Sequence, residues 1–191
     1  MVTSAAPAVG RRKLARIFLL AASAVVASGT AGAAEQGTPE QDAALKPLVG
    51  GVWISGQITP QQVDELKSQG IKAIIALRPD GEAPGQPPSS SIDAAARSAG
   101  LAFAYAPVAG SDIPGSAVDA VSRAIARPDN TVLLYCKSGR RAARTWALAE
   151  ASRMGGLEAE AIESVVQSAG QSVDDLRDQI AARIATRPKL P

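Results

Sequence analysis

The chain has no histidine, a single cysteine and only 3% aromatic residues. Without histidine it cannot build a Ser-His-Asp triad, a Cys-His pair, or a His-ligated zinc or haem centre. One cysteine excludes an intrachain disulfide, a Cys-x-x-Cys redox pair and a Cys-rich metal cluster, so no metal or cofactor is expected. Cys136 is therefore either a small buried hydrophobe or a solitary reactive thiol. Long apolar runs are also missing: the stretch from Ile17 to Ala27 is about half the roughly 20 residues a membrane-spanning helix needs. What is present is 46% hydrophobic over 191 residues, enough to bury one real core.

Residues 1–33 read as an export signal. Arg11, Arg12, Lys13 and Arg16 form a basic n-region ahead of the apolar run, and Ala31-Gly32-Ala33 fits an A-x-A cleavage site that leaves Ala34 or Glu35 as the new N-terminus. The expectation is an exported protein, periplasmic in a Gram-negative source, with no stable membrane anchor after cleavage. Four of the 20 basic residues and none of the 18 acidic ones lie in this segment, so the processed chain holds 16 basic side chains against 18 acidic. No overall basic excess survives, which argues against a nucleic-acid partner. Residues 34–49, polar with two prolines up to Leu48, are expected to form a tether to a domain at 50–187.

Within that domain, short apolar runs alternate with helical patterns. Strands are predicted at Val52–Ser55, Ile71–Leu77, Leu101–Val108 and Thr131–Tyr135. Helices are predicted from Thr59 to Gly70, at Ile92–Ser98, Gly115–Ala126, Arg141–Met154, Glu158–Ser168 and Ser172–Ala185, with a turn at Pro128-Asp129-Asn130. This order predicts an α/β fold with a small, mostly parallel sheet flanked by helices. Ligands of such sheets sit at the carboxyl ends of the strands. Three loops leave those ends: Arg78–Glu82, the first part of a long stretch rich in Pro, Gly and Ser; Gly110–Pro114; and the loop after Tyr135.

That last loop carries the chemistry. In Thr131-Val-Leu-Leu-Tyr-Cys136-Lys-Ser-Gly-Arg-Arg141, a buried strand delivers a thiol into a Gly-containing turn that opens a helix. The amides of such a turn and the helix N-terminus cradle an anion and favour thiolate over thiol. Lys137, Arg140 and Arg141 add positive charge, and a thiolate needs no histidine base to act as a nucleophile. Lys137, Ser138, Gly139 and Arg140 are the predicted anion-binding residues, with Arg78 as a further candidate.

The Cys136-to-Arg141 loop resembles the anion-binding loops of cysteine-dependent phosphatases and of rhodaneses. Further matching pieces are Ser55-Gly56-Gln57-Ile58-Thr59, Arg78-Pro79-Asp80-Gly81-Glu82, Pro84-Gly85-Gln86-Pro87 and Trp146-Ala-Leu-Ala149. With them, Val52 to about Leu176 resembles the beta-lactamase-hydrolase-like phosphatase-like domain family, a bacterial group with a tyrosine-phosphatase-type fold, also described as sulfur transferases. The resemblance implies an enzyme that forms a covalent intermediate on Cys136.

Two chemistries fit. Tyrosine and dual-specificity phosphatases use His-Cys-x5-Arg, whereas here Tyr135 replaces the His and Arg141 follows Cys136 after four residues. That shorter loop resembles rhodaneses and favours sulfur transfer through a Cys136 persulfide, from a small anionic sulfane-sulfur donor to a thiol acceptor. The alternative is phosphate-ester hydrolysis through a phosphocysteine, with Arg141 on the phosphoryl oxygens and Asp112 as general acid, Asp80 being the runner-up. Asp112 fits a turn or helix-cap role equally well. Arg78 and Glu82 either pair to brace the site or leave Arg78 for the substrate anion. Gln57 is expected to support the cysteine loop, while Arg144 reads as a second guanidinium near the mouth or a solvated helix residue. A non-catalytic anion-binding or thiol redox-sensing module is the third reading.

Overall fold

The computed structural model describes residues 44–127 and 129–189. The leader expected at 1–33, most of the tether expected at 34–49, and Pro128 of the predicted turn lie outside the described residues.

Five strands form one sheet in the order β1-β2-β5-β3-β4. They are β1 (Lys46–Pro47), β2 (Val52–Ser55), β3 (Ala73–Ala76), β4 (Ala102–Tyr105) and β5 (Val132–Tyr135). The helices are α1 (Val63–Ser68), α2 (Ser89–Ala99), α3 (Gly115–Ile125), α4 (Arg140–Ser152), α5 (Ala159–Ser168) and α6 (Arg177–Thr186). Short 3-10 turns, Pro60–Gln62 and Asp174–Leu176, lead into α1 and α6. The Thr59 N–H donates to Gln62 Oε1 at 2.8 Å, the capping box expected there.

The predicted α/β class and mostly parallel sheet are both present. β2, β5, β3 and β4 run parallel, and only β1 is antiparallel, to β2. β1 was not expected. Lys46 and Pro47 pair with Ile54 and Trp53, while Leu45 and Leu48 pack against the two hydrophobic cores, so the domain begins before residue 50. Two residues of edge pairing carry no periodicity for a sequence pattern to register.

Alternation along each strand divides the core. Val52, Ile54, Ile75, Val132 and Leu134 face one side, where α3, α4, α5 and α6 pack. Ile74, Ala76, Leu133 and Tyr135 face the other, against residues of α1 and α2 such as Val63, Leu66, Ile92 and Ala96. Both faces being covered explains why β3 and β5 are continuous apolar runs. α4 is the central helix of its layer: every residue from Ala142 to Ala151 is buried. Its alanines let α3 and α6 approach closely, and Trp146, 1% exposed, fills the remaining space. Truncating that indole to a methyl should cost about 3–5 kcal/mol.

The last paired residues of the parallel strands stand level, Ser55 and Ala76 both opposite Tyr135, and Ala76 opposite Tyr105. Four loops therefore leave the sheet along one edge. The chain places β3 and β4 outward on one side and then returns to insert β5 between β2 and β3, so the loop after β5 sits where the connections diverge.

Candidate active site

Cys136 follows the last residue of β5 and is fully buried. Its N–H donates to Ser55 O at 3.3 Å. Its Sγ accepts the Gly139 N–H at 3.2 Å. Gly139 is the N-cap of α4 with φ 87°, a left-handed conformation that costs a side-chain-bearing residue about 1–2 kcal/mol. That conformation turns the amide back toward the sulfur, so the thiol lies against the positive end of a helix. The turn is strapped down from both sides. Gly56 bridges Ser138, the Gln57 N–H donates to Lys137 O at 3.3 Å, and Gln171 Nε2 donates to Ser138 O at 3.3 Å.

Arg141, in the first turn of α4, is held by a fork. Nη1 and Nη2 donate to the two carboxylate oxygens of Glu82 at 2.7 and 2.8 Å, and Nη1 also reaches Val108 O at 2.9 Å. Burial lowers the Arg141 pKa, but its bonds to Glu82 and its proximity to Cys136 raise it further, with a net upward result. Glu82 also accepts from Arg78 Nε at 2.8 Å. Its hydrogen bonds from Arg141, and then Arg78, hold its carboxyl below the usual carboxylate range against the opposing effect of burial.

Arg78 is 2% exposed and donates Nη1–H to Gln57 Oε1 at 3.1 Å. The pairing with Glu82 is the bracing arrangement of its two expected roles. Gln57 accordingly supports the loop twice, by its backbone at Lys137 and by its side chain at Arg78. Tyr135, at the position of the phosphatase histidine, turns to the opposite face of the sheet. Burial, then the neighbouring Asp80, raises its phenol pKa against a hydrogen bond with Gln57.

Beside the loop opens a cleft of about 370 Å³. Lys137, Ser138, Arg140 and Arg141 line it, as do Glu82, Gly110 and Ser111. The three loops expected to converge thus do so. Asp112 is exposed in the loop between β4 and α3, directly after two lining residues, and among the described residues it has no hydrogen-bond or ion-pair partner. Asp80, the alternative acid, is committed elsewhere: its carboxylate accepts the Ser89 N–H and Oγ–H, both at 2.7 Å. It caps α2, which explains why that helix starts at Ser89 and not at the expected Ile92.

Arg144 and Asp175 complete the cleft wall; the first has the position near the mouth that was one of its two readings, and the second was not anticipated. Arg144 is 5% exposed, not a solvated helix residue; Nη1 donates to Ser111 O at 3.0 Å and Nη2 to Asp175 Oδ2 at 2.5 Å. Asp175 and Gln171 come from the segment after α5. Arg144 carried a sequence signal, being one helical turn beyond Arg141, whereas Asp175 and Gln171 are ordinary surface-type residues until the chain folds back.

A parallel-stranded α/β layer that presents a buried cysteine at a helix N-terminus, with an arginine beside it, defines a phosphatase-like protein of the cysteine-dependent kind. More particularly, the chain belongs to the family described as Beta-lactamase hydrolase-like protein, phosphatase-like domain, whose model matches residues 44–153. A Beta-lactamase hydrolase-like protein of Xylella fastidiosa is 45% identical over 97 residues, 51% of this chain. The match spans only 22% of that relative's length. A candidate phosphatase of Neisseria meningitidis is 29% identical with a TM-score of 0.58, covering 69% of this chain and 92% of that one. Tk-PTP in its active form, 19% identical with a TM-score of 0.57, covers 75% and 97% and shares the fold.

Proposed function

We propose that the domain hydrolyses phosphate monoesters through a phosphocysteine on Cys136. The observation that carries this reading is the Cys136–Gly139–Arg141 arrangement: a sulfur accepting the N-terminal amide of α4, beside a guanidinium oriented by Glu82, at the convergence of the strand-end loops. Its occurrence in a phosphatase-like fold supports phosphoryl rather than sulfur transfer.

In the first step the Cys136 thiolate attacks phosphorus, the S–P bond forms and the P–O bond to the leaving group breaks. The amides of the turn and Arg141 stabilise the equatorial oxygens. Asp112 in its acid form donates a proton to the departing oxygen. In the second step water attacks phosphorus and gives a proton to Asp112, and the S–P bond breaks to release inorganic phosphate and restore the thiolate. Glu82, doubly bound to arginines, orients Arg141 and takes no proton at neutral pH.

The test sets aryl phosphate hydrolysis beside thiosulfate-to-cyanide sulfur transfer, with Cys136→Ser as control. Acid-quenched wild type should gain about 80 Da, a phosphoryl group, and the variant neither adduct nor turnover. A gain of about 32 Da with sulfur donors and none with phosphate esters would replace this reading by persulfide chemistry.

A further inference from the structure

Arg144 is not used in the steps above, yet both of its terminal guanidinium nitrogens are committed. It lies nine-tenths buried beside the cleft and bridges two segments far apart in sequence, the β4–α3 loop through Ser111 O and the 3-10 turn before α6 through Asp175. The loop leaves the sheet at Val108, whose carbonyl Arg141 already holds. Arg144 ties down its middle, one residue before Asp112. Two arginines three residues apart on one helix face thus clasp the segment that carries the acid. A guanidinium suits this task because its planar fork serves two acceptors in fixed directions, which an ammonium does not. Asp175 keeps the guanidinium charge paired in a mostly buried position and sets its angle.

We propose that Arg144, anchored by Asp175, is a positioning residue that sets the Asp112 loop for proton donation to the leaving group. The proposal rests on the phosphatase reading and deepens it. It also gives the segment beyond the family-matched residues 44–153 a part in the reaction, since Asp175 lies outside that span.

Proton donation matters in proportion to the basicity of the leaving group, so the full chain is assayed on aryl phosphates whose phenols run from about pKa 4 to about pKa 10. Asp112→Asn should lose about 100-fold in kcat/KM, which reports the leaving-group step alone, on the poorest leaving group and little on the best. Arg144→Met should show the same steepening, about tenfold or more at the poor end, and lose the basic limb of its pH–rate profile. Arg144→Lys should follow Arg144→Met, because charge without the fork does not hold both partners. Asp175→Asn, at a half-exposed position, should show a smaller effect of the same slope. It decides the matter if the buried substitutions fail to fold by thermal melting.

A loss equal across all leaving groups, an unchanged slope, or full rescue by lysine would overturn the positioning role. A flat Asp112→Asn profile would remove the acid assignment and the proposal with it, while Cys136-dependent turnover would leave the phosphatase reading in place. Absence of wild-type turnover on every ester would overturn both.

Discussion

Glu82 is the residue on which two arginines depend, and its ionisation links the site to stability. Its carboxyl is held below the usual range, so its contribution is fully present above the unfolded value near about 4.3 and is lost as pH falls through the lower native value. Denaturant unfolding of wild type and Glu82→Gln should differ at pH 7, with the gap closing toward pH 3. A gap that persisted at low pH would show that something other than the charge is involved. At neutral pH the same variant should lose about 10- to 100-fold in kcat/KM, because a neutral amide no longer holds the Arg141 fork in line. That Cys136, Arg141 and Glu82 come to one edge of the sheet was legible in the sequence, since they sit at strand ends and in one short loop. Whether Arg78 met substrate or Glu82 was not legible, because that depends on which direction a buried guanidinium faces.

At the scale of elements, the strands and most helices follow from apolar runs punctuated by glycine and proline. The departures occur where a partner distant in sequence decides a boundary. α2 begins three residues early because Asp80, nine residues upstream of Ser89, supplies the cap. Replacing Asp80 with Ala should cost about 1 kcal/mol of stability in urea unfolding. It should leave the leaving-group dependence of turnover unchanged, and a steepened dependence would restore Asp80 as an acid candidate. α4 shows the opposite case. Its ten buried residues include Arg144, Thr145 and Glu150, which a helical wheel assigns to solvent. Each finds a partner: Thr145 Oγ1 donates to Arg141 O at 2.8 Å, and Glu150 accepts from Arg153 and from the Leu157 N–H. Burial of those polar groups is tolerable only because these bonds exist, and they exist only in the folded chain.

On the scale of the whole molecule, the family match ends at residue 153 but the core does not. Ile162, Val166, Leu176 and Ile180 are all buried in the same cluster as Trp146 and Leu134. A chain ending at Gly156 should therefore expose one flank of α4, bind a hydrophobic dye and lose its cooperative thermal transition; retention of a sharp transition would show that α5 and α6 are accessory. Composition and pattern alone determined the α/β class, the largely parallel sheet, and the placing of a lone cysteine in a Gly-containing turn between strand and helix, since these depend on local periodicity and on which side chains exist at all. Only the tertiary structure decided that Arg78 braces, that Asp80 caps, and that Arg144 reaches across to Ser111 and Asp175. Those roles are side-chain pairings, from Arg78 with Glu82 in one loop to Arg144 with Ser111 and Asp175 in separate segments, and the energy that selects them appears only when folding removes water from around the charges.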